Sequence, residues 1–150
     1  MLIFLSWLKG MMNKEPPEPD NPIGTIVIGT LTPDLMTTAK EMVRKALKNA
    51  QFKTIDVGRG ASPEIFASKA KETNADIIVI SVLLSAAKTN LPKVISALES
   101  EGIKNKIAIM IGGSAVTKED ADEIGALFGT TKEEAVVLAK KVMEQKQKRT

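Results

Sequence analysis

From Ile23 onward the chain alternates between two hydrophobic patterns. The first is a short, nearly unbroken apolar run, as in Gly24–Thr30, Phe52–Val57, Asp76–Ser81, Lys106–Ile111 and Ala126–Phe128. These runs predict strands buried on both faces, because a strand with one wet face would alternate apolar and polar positions. The second has helical spacing: Leu35, Met42, Val43, Ala46 and Leu47 share one face of a helix expected over Leu35–Ala50. Further helices are expected over Ser62–Thr73, Leu91–Glu101, Lys118–Ile124 and Thr131–Gln147. Ser62 before Pro63 reads as an N-cap followed by a first-turn proline, and Thr131 with Glu134 as a capping box. Gly102 ends the third of these helices. A β-α repeat with buried strands implies a parallel sheet covered on both sides by helices. Right-handed crossovers leave few topologies. The prediction is an α/β, doubly wound five-stranded parallel sheet of flavodoxin-like (Rossmann-like) order 2-1-3-4-5, with the most apolar run, Asp76–Ser81, at its centre.

Residues 1–22 break the pattern, so the folded domain is expected over 23–150. Met1–Met12 is apolar, interrupted by Lys9 and Gly10. It is too short for a bilayer span, which takes about 20 apolar residues, and it lacks the basic start and small-residue end of a secretory signal. Three readings stay open: a surface-lying amphipathic anchor, an apolar contact for a partner, or a segment folded onto the domain. Glu15–Pro22 holds four prolines in eight residues, a composition that favours extended linker structure.

Composition narrows the chemistry. Apolar residues make up 43% of the chain but aromatics only 3%, with no tyrosine, so the core must be aliphatic. Single-stranded nucleic acid needs stacking platforms, and no such partner is expected. The absence of cysteine and histidine removes thiolate and imidazole chemistry, both catalytic and metal-ligating. No carboxylate pair stands out in their place. An enzyme acting alone is therefore not expected; a reducing, cytoplasmic setting is. Lys140–Arg149 carries five basic residues and one acid, a balance that suits the C-terminal end of a helix dipole.

Ligands in open α/β sheets bind beyond the carboxyl ends of the strands, where strand order reverses. The turns there are Thr32–Met36, Gly58–Ser62, Ser81–Ser85, Gly112–Thr117 and Phe128–Thr131. No dinucleotide fingerprint or phosphate loop occurs. The turns carry glycines, hydroxyls and small residues, a lining suited to a large, partly apolar, hydrogen-bonding ligand. Connection geometry alone would also select glycine and serine, and a helix cap would also account for Asp34.

Gly24 to about Val142 resembles the cobalamin-binding domain of methyltransferase corrinoid proteins, methionine synthase and mutases. The resemblance rests on Gly29-Thr30, Asp34, Phe52-x-x-Ile55-Asp56-Val57-Gly58, Pro63-Glu64-x-Phe66 and Ala75–Ile78, on the turns Ser81–Ser85 and Gly112–Thr117, and on Ala121-Asp122-x-Ile124-Gly125-Ala126. It implies a corrinoid (cobalamin) cofactor and a carrier presenting a cobalt-bound methyl group to separate methyltransferase subunits. The family's first turn reads D-x-H-x-x-G, its histidine being the lower axial ligand of cobalt. Here Asp34 stands in the aspartate position, Met36 in the axial-ligand position and Ala39 in that of the glycine. Ser81 and Leu83 resemble the S-x-L turn whose serine meets the dimethylbenzimidazole tail. Ser85 stands where a hydroxyl often helps, and Gly112 and Gly113 resemble the pair flanking the tail. Thr32 and Thr130, on the first and fifth turns, complete the candidate contacts.

A thioether cannot take the histidine's hydrogen bond from Asp34. Three outcomes are open: cobalamin bound without a protein axial ligand, a different or shorter corrinoid, or a scaffold that binds none and serves as an interaction or regulatory module. The residues before Ile23 cannot build the helical bundle that caps the corrin in this family, so the upper face is expected to be open or covered by another chain. A receiver-type or nucleotide-binding domain ranks last, for want of clustered acids or a phosphate loop.

Overall fold

The computed structural model describes residues 2–5 and 14–149. Most of Met1–Met12 lies outside the described residues; residues 2–5 form a short helical turn.

Five parallel strands stand in the order β2-β1-β3-β4-β5. They are β1 (Thr25–Leu31), β2 (Lys53–Ala61), β3 (Ile77–Ser81), β4 (Ala108–Gly112) and β5 (Leu127–Phe128). The expected sheet and strand order are both borne out. All five residues of the central strand β3 are buried, as its unbroken Ile-Ile-Val-Ile run requires.

The helices are α1 (Thr38–Asn49), α2 (Pro63–Glu72), α3 (Ser85–Lys88), α4 (Leu91–Ser100), α5 (Lys118–Glu123) and α6 (Lys132–Lys148). Alternate residues of β1, β3 and β4 feed two cores. Val27, Leu31, Ile78, Ile80, Ile109 and Ile111 meet α2 and α4 through Phe66, Ala70, Val94 and Leu98. Ile26, Ile28, Ile77, Val79 and Met110 meet α1 and α6 through Leu47, Ala135 and Ala139. Complete burial of a side chain such as Phe66 or Leu98 is worth about 1.5–3 kcal/mol.

The elements depart from expectation in several places. Helix α1 begins at Thr38 rather than Leu35, because the backbone around Asp34–Thr37 is committed to a hydrogen-bonded loop. Strand β2 runs on past Gly58 to Ala61: Gly58 and Gly60 adopt φ of 84° and 63°, and the ladder to β1 continues through two register shifts. Glycine tolerates that left-handed backbone, so it bends the strand here instead of ending it. The four-residue α3 follows the third strand, where a turn was expected. At α2, α5 and α6 the N-cap side chains act as caps, whereas Asn90 before α4 does not, and the box expected of Thr131 and Glu134 is half formed because the Glu134 carboxylate accepts from Thr130 Oγ1 instead. Ser62 Oγ and Thr131 Oγ1 accept from Ile65 N and Glu134 N, and Thr117 with Asp120 forms a reciprocal capping box that the sequence reading passed over.

The proline-rich segment lies along α1. Pro16 is buried, Glu15 pairs with both Arg44 and Lys48, and Glu18 also reaches Lys48. Arg44 beside it lowers the Glu15 carboxyl to about 2, with Lys48 adding to the effect.

Candidate functional site

The carboxyl ends of β1 and β3 are the point at which strand order reverses, and two features meet there. The first is a cavity of about 370 Å³ opening between the first turns of α1 and α6. Its floor is Ile28, Val79, Ser81, Met110 and Gly112, on the α1–α6 side of the sheet, and its walls include Ala39, Val43, Thr130 and Ala135. The cavity exists because the facing residues on the two helices there are small, whereas lower down Leu47, Val142 and Met143 close the same layer. Its lining is mainly apolar.

Ser81 is the polar side chain on its floor. Its Oγ is buried and has no hydrogen-bond partner among the described residues. An unpaired buried hydroxyl costs free energy, so native structures rarely retain one without use. A mainly apolar group offering one acceptor or donor to Ser81 would suit this lining.

The second feature is the rim. The turn after β1 is held from three sides by contacts within the chain. Asp34 is fully buried; its Oδ1 accepts from Met36 N (3.0 Å) and its Oδ2 from Leu83 N (2.6 Å). Thr30 Oγ1 donates to the Asp34 carbonyl (2.8 Å) and accepts from Gly60 N (2.9 Å). Asn90 Nδ2 donates to the Thr32 carbonyl (2.8 Å). Above this frame, Leu35 and Met36 are 58% and 55% exposed, with Leu84 also exposed across the crevice.

The candidate residues therefore divide into two groups. Ala39, Ser81, Gly112, Gly113 and Thr130 line the cavity. Thr32, Asp34, Met36, Leu83 and Ser85 lie on the turns of the rim, where Ser85 is exposed at the start of α3. Asp34 does not cap α1, as helix capping alone would have it: the N-cap is Thr37, without a side-chain bond, and the carboxylate instead joins two turns. Thr130 Oγ1 donates to Glu134 Oε2 at 2.8 Å.

The glycines have backbone reasons as well. A Cβ on Gly112 would stand 2.5 Å from the Gly129 carbonyl oxygen, and one on Gly113, at φ 115°, only 2.2 Å from that of Val82. Lining residues that sequence reasoning missed include Val43, Met110, Ala135 and Lys40. Lys40 is 3% exposed, and its ammonium is bound to Asp56 (2.7 Å) and Glu41 (3.0 Å). Their apolar or helical neighbours signalled only core.

Among the described residues no group of acidic side chains could hold a metal ion, and no helix is long and apolar enough to cross a membrane.

The profile of the B12 binding domain matches residues 24–139. The dimethylamine corrinoid protein of Methanosarcina barkeri is 38% identical over 122 residues, which are 81% of this chain and 57% of that protein. Trimethylamine corrinoid protein 1 of Methanosarcina acetivorans is 35% identical over 81% of this chain and 56% of its own length. The chain thus spans a little over half the length of these relatives. Among solved structures, a cobalamin-binding protein from Desulfitobacterium hafniense DCB-2 superposes with a TM-score of 0.74 at 28% identity, over 79% of this chain and 58% of that one. The Methanosarcina barkeri monomethylamine corrinoid protein, at 22% identity, shares the fold with a TM-score of 0.75 over 80% of this chain and 58% of its own.

Proposed function

This chain belongs to the B12-binding domain family, and from that premise we propose that it is a corrinoid-binding methyl carrier serving a separate methyltransferase. The observation that carries the reading is the unpaired Ser81 hydroxyl in an apolar cavity beside the switch point of the sheet. The similarity to dimethylamine and trimethylamine corrinoid proteins supports the same reading.

The residues present fit a corrinoid with a nucleotide tail. Ser81, with Ala39, Gly112, Gly113 and Thr130, would hold the tail; the turns bearing Thr32, Asp34, Met36, Leu83 and Ser85 would meet the corrin. The bound corrinoid supplies the cobalt centre for methyl transfer. The chain's own part is to bind and orient it and to keep water from the tail. Met36 offers a neutral thioether where the family carries an imidazole, and the chain has no histidine to substitute. Binding here therefore proceeds without a protein nitrogen ligand, and the tail cavity carries the affinity. Met1–Met12 provides a contact for a partner or a membrane surface; Leu2 and Ile3, at 84% and 86% exposed, support that role.

The test is to mix purified protein with hydroxocobalamin, or with dicyanocobinamide, which lacks the tail, and to desalt. Retention of the first and loss of the second is expected, read by absorbance. Loss of both would replace the carrier with an interaction module that binds no corrinoid.

A further inference from the structure

We propose that Asp34 is a positioning residue that clamps the first turn to the third, so that the crevice is formed before any corrinoid arrives and without a metal ligand to organise it.

The argument starts from the carboxylate itself. It is fully buried, and both oxygens are taken by backbone amides on opposite sides of the crevice: Met36 N on the turn after β1, and Leu83 N on the turn after β3. The second bond, 2.6 Å long, joins residues 49 apart in sequence. Hydrogen bonds to an ionised carboxylate are shorter and roughly twice as strong as neutral ones. A backbone amide at each oxygen therefore makes a strong polar cross-link through an apolar crevice.

The rest of the turn is fixed in the same manner. Thr32 N donates to the Ala61 carbonyl (2.9 Å) and Asp34 N to that of Leu31 (2.8 Å). Thr30 Oγ1 ties the Asp34 backbone to Gly60 on β2, and Asn90 ties Thr32 to the start of α4. The tethers that leave the turn run to three places: β2 through Ala61 and Gly60, the third turn through Leu83, and the junction of α3 and α4 through Asn90. No imidazole takes part, since the chain has none. A side chain that elsewhere could orient a metal ligand is here spent on geometry. The consequence is a rim fixed in advance, which spares a ligand the entropy of ordering it.

Amide hydrogen exchange on the wild-type protein without corrinoid tests the clamp directly. The Met36 and Leu83 amides should be protected although Met36 is largely exposed. Exchange at the rate of an open loop at both positions would overturn the proposal, with no variant needed. In Asp34→Asn the amide side chain keeps one acceptor and turns a donor against the other backbone N–H. Exchange at Met36 or Leu83, whichever faces the new NH2, should rise about tenfold or more, the scale of losing a buried charge-assisted hydrogen bond, while the core amide of Ile78 keeps its rate.

The affinity arm rests on the corrinoid reading proposed above. Asp34→Asn should weaken hydroxocobalamin binding by a similar factor in the wild-type and Met36→His backgrounds. A loss confined to the Met36→His background would show that Asp34 acts by orienting an imidazole, and would overturn the clamp. Should wild-type protein hold no cobalamin, the carrier reading fails while the exchange experiment still decides the clamp.

Discussion

Replacing Ser81 with alanine separates a binding residue from a structural one, because the two roles predict opposite changes in the free protein. Ser81 sits at the carboxyl end of the central strand, in register with Thr30 on one side and Gly112 on the other. Its Oγ is buried without a partner among the described residues. Burying a hydroxyl in that state costs about 1–3 kcal/mol on mutational scales. Alanine deletes the oxygen and keeps the Cβ, so the only loss is a few dispersion contacts on one side of an existing cavity. The balance is a stabilisation of about 1 kcal/mol, which for a domain of this length raises the melting temperature by about 2–4 °C. Binding should move the other way. A neutral hydrogen bond is worth about 0.5–1.5 kcal/mol net, so hydroxocobalamin affinity should fall by about 2- to 10-fold. Calorimetric melting of the two free proteins and absorbance titration with hydroxocobalamin read both changes. A melting temperature that falls in Ser81→Ala would show that the hydroxyl has a partner in the free protein. Unchanged affinity would show that the cavity does not use it. Either result removes the observation on which the functional reading stands.

Two further outcomes follow from the same geometry. Met36→His should raise cobalamin affinity and introduce nitrogen-15 hyperfine coupling in the cobalt(II) spectrum when its imidazole is labelled; unchanged affinity without coupling would refute this. Glu15 titrates well below its ordinary value because Arg44 and Lys48 hold its carboxylate, so its contribution to docking residues 14–22 is complete above pH 4.5 and is lost as pH falls toward about 2. NMR shifts of the Glu15 and Arg44 side chains should follow that window, and a midpoint near 4.5 would mean that the segment is not docked in solution.

Much of the fold was legible because a parallel strand buried on both faces leaves an unbroken apolar run. Ile77–Ile80 shows this most plainly; handed crossovers only narrowed the strand order to a few, of which 2-1-3-4-5 is the one formed. What escaped was local chemistry with two meanings. Gly58 looks like a stop, yet at positive φ it is a bend through which β2 continues to Ala61. Ser85–Lys88 has too few residues to show a period. Asp34 before a helix looks like a cap, and only the fold brings Leu83 N to its other oxygen. The cavity was invisible for a similar reason. Its walls come from the first turns of α1 and α6, at opposite ends of the domain in sequence, and Val43 or Ala135 viewed alone is simply a core residue.

The geometry also changes which residues count as evidence for a ligand. Gly112 and Gly113 suit a nucleotide tail, but their neighbours would select glycine with or without one, since a Cβ at either would strike a carbonyl oxygen. Asp34 likewise has work to do in the empty protein, joining two turns whatever lies between them. Their presence shows that the scaffold is intact; it does not distinguish a carrier from a module that has given up its cofactor. Ser81 differs in kind. Its Oγ has no partner among the described residues, and a buried hydroxyl left unpaired costs the free protein stability. A chain released from binding would gain stability by replacing it with alanine, whereas replacing Gly113 would strain the backbone whatever the function. The residue that harms the empty fold is therefore the one that argues for a ligand, and here it lies at the bottom of the cavity beside the switch point.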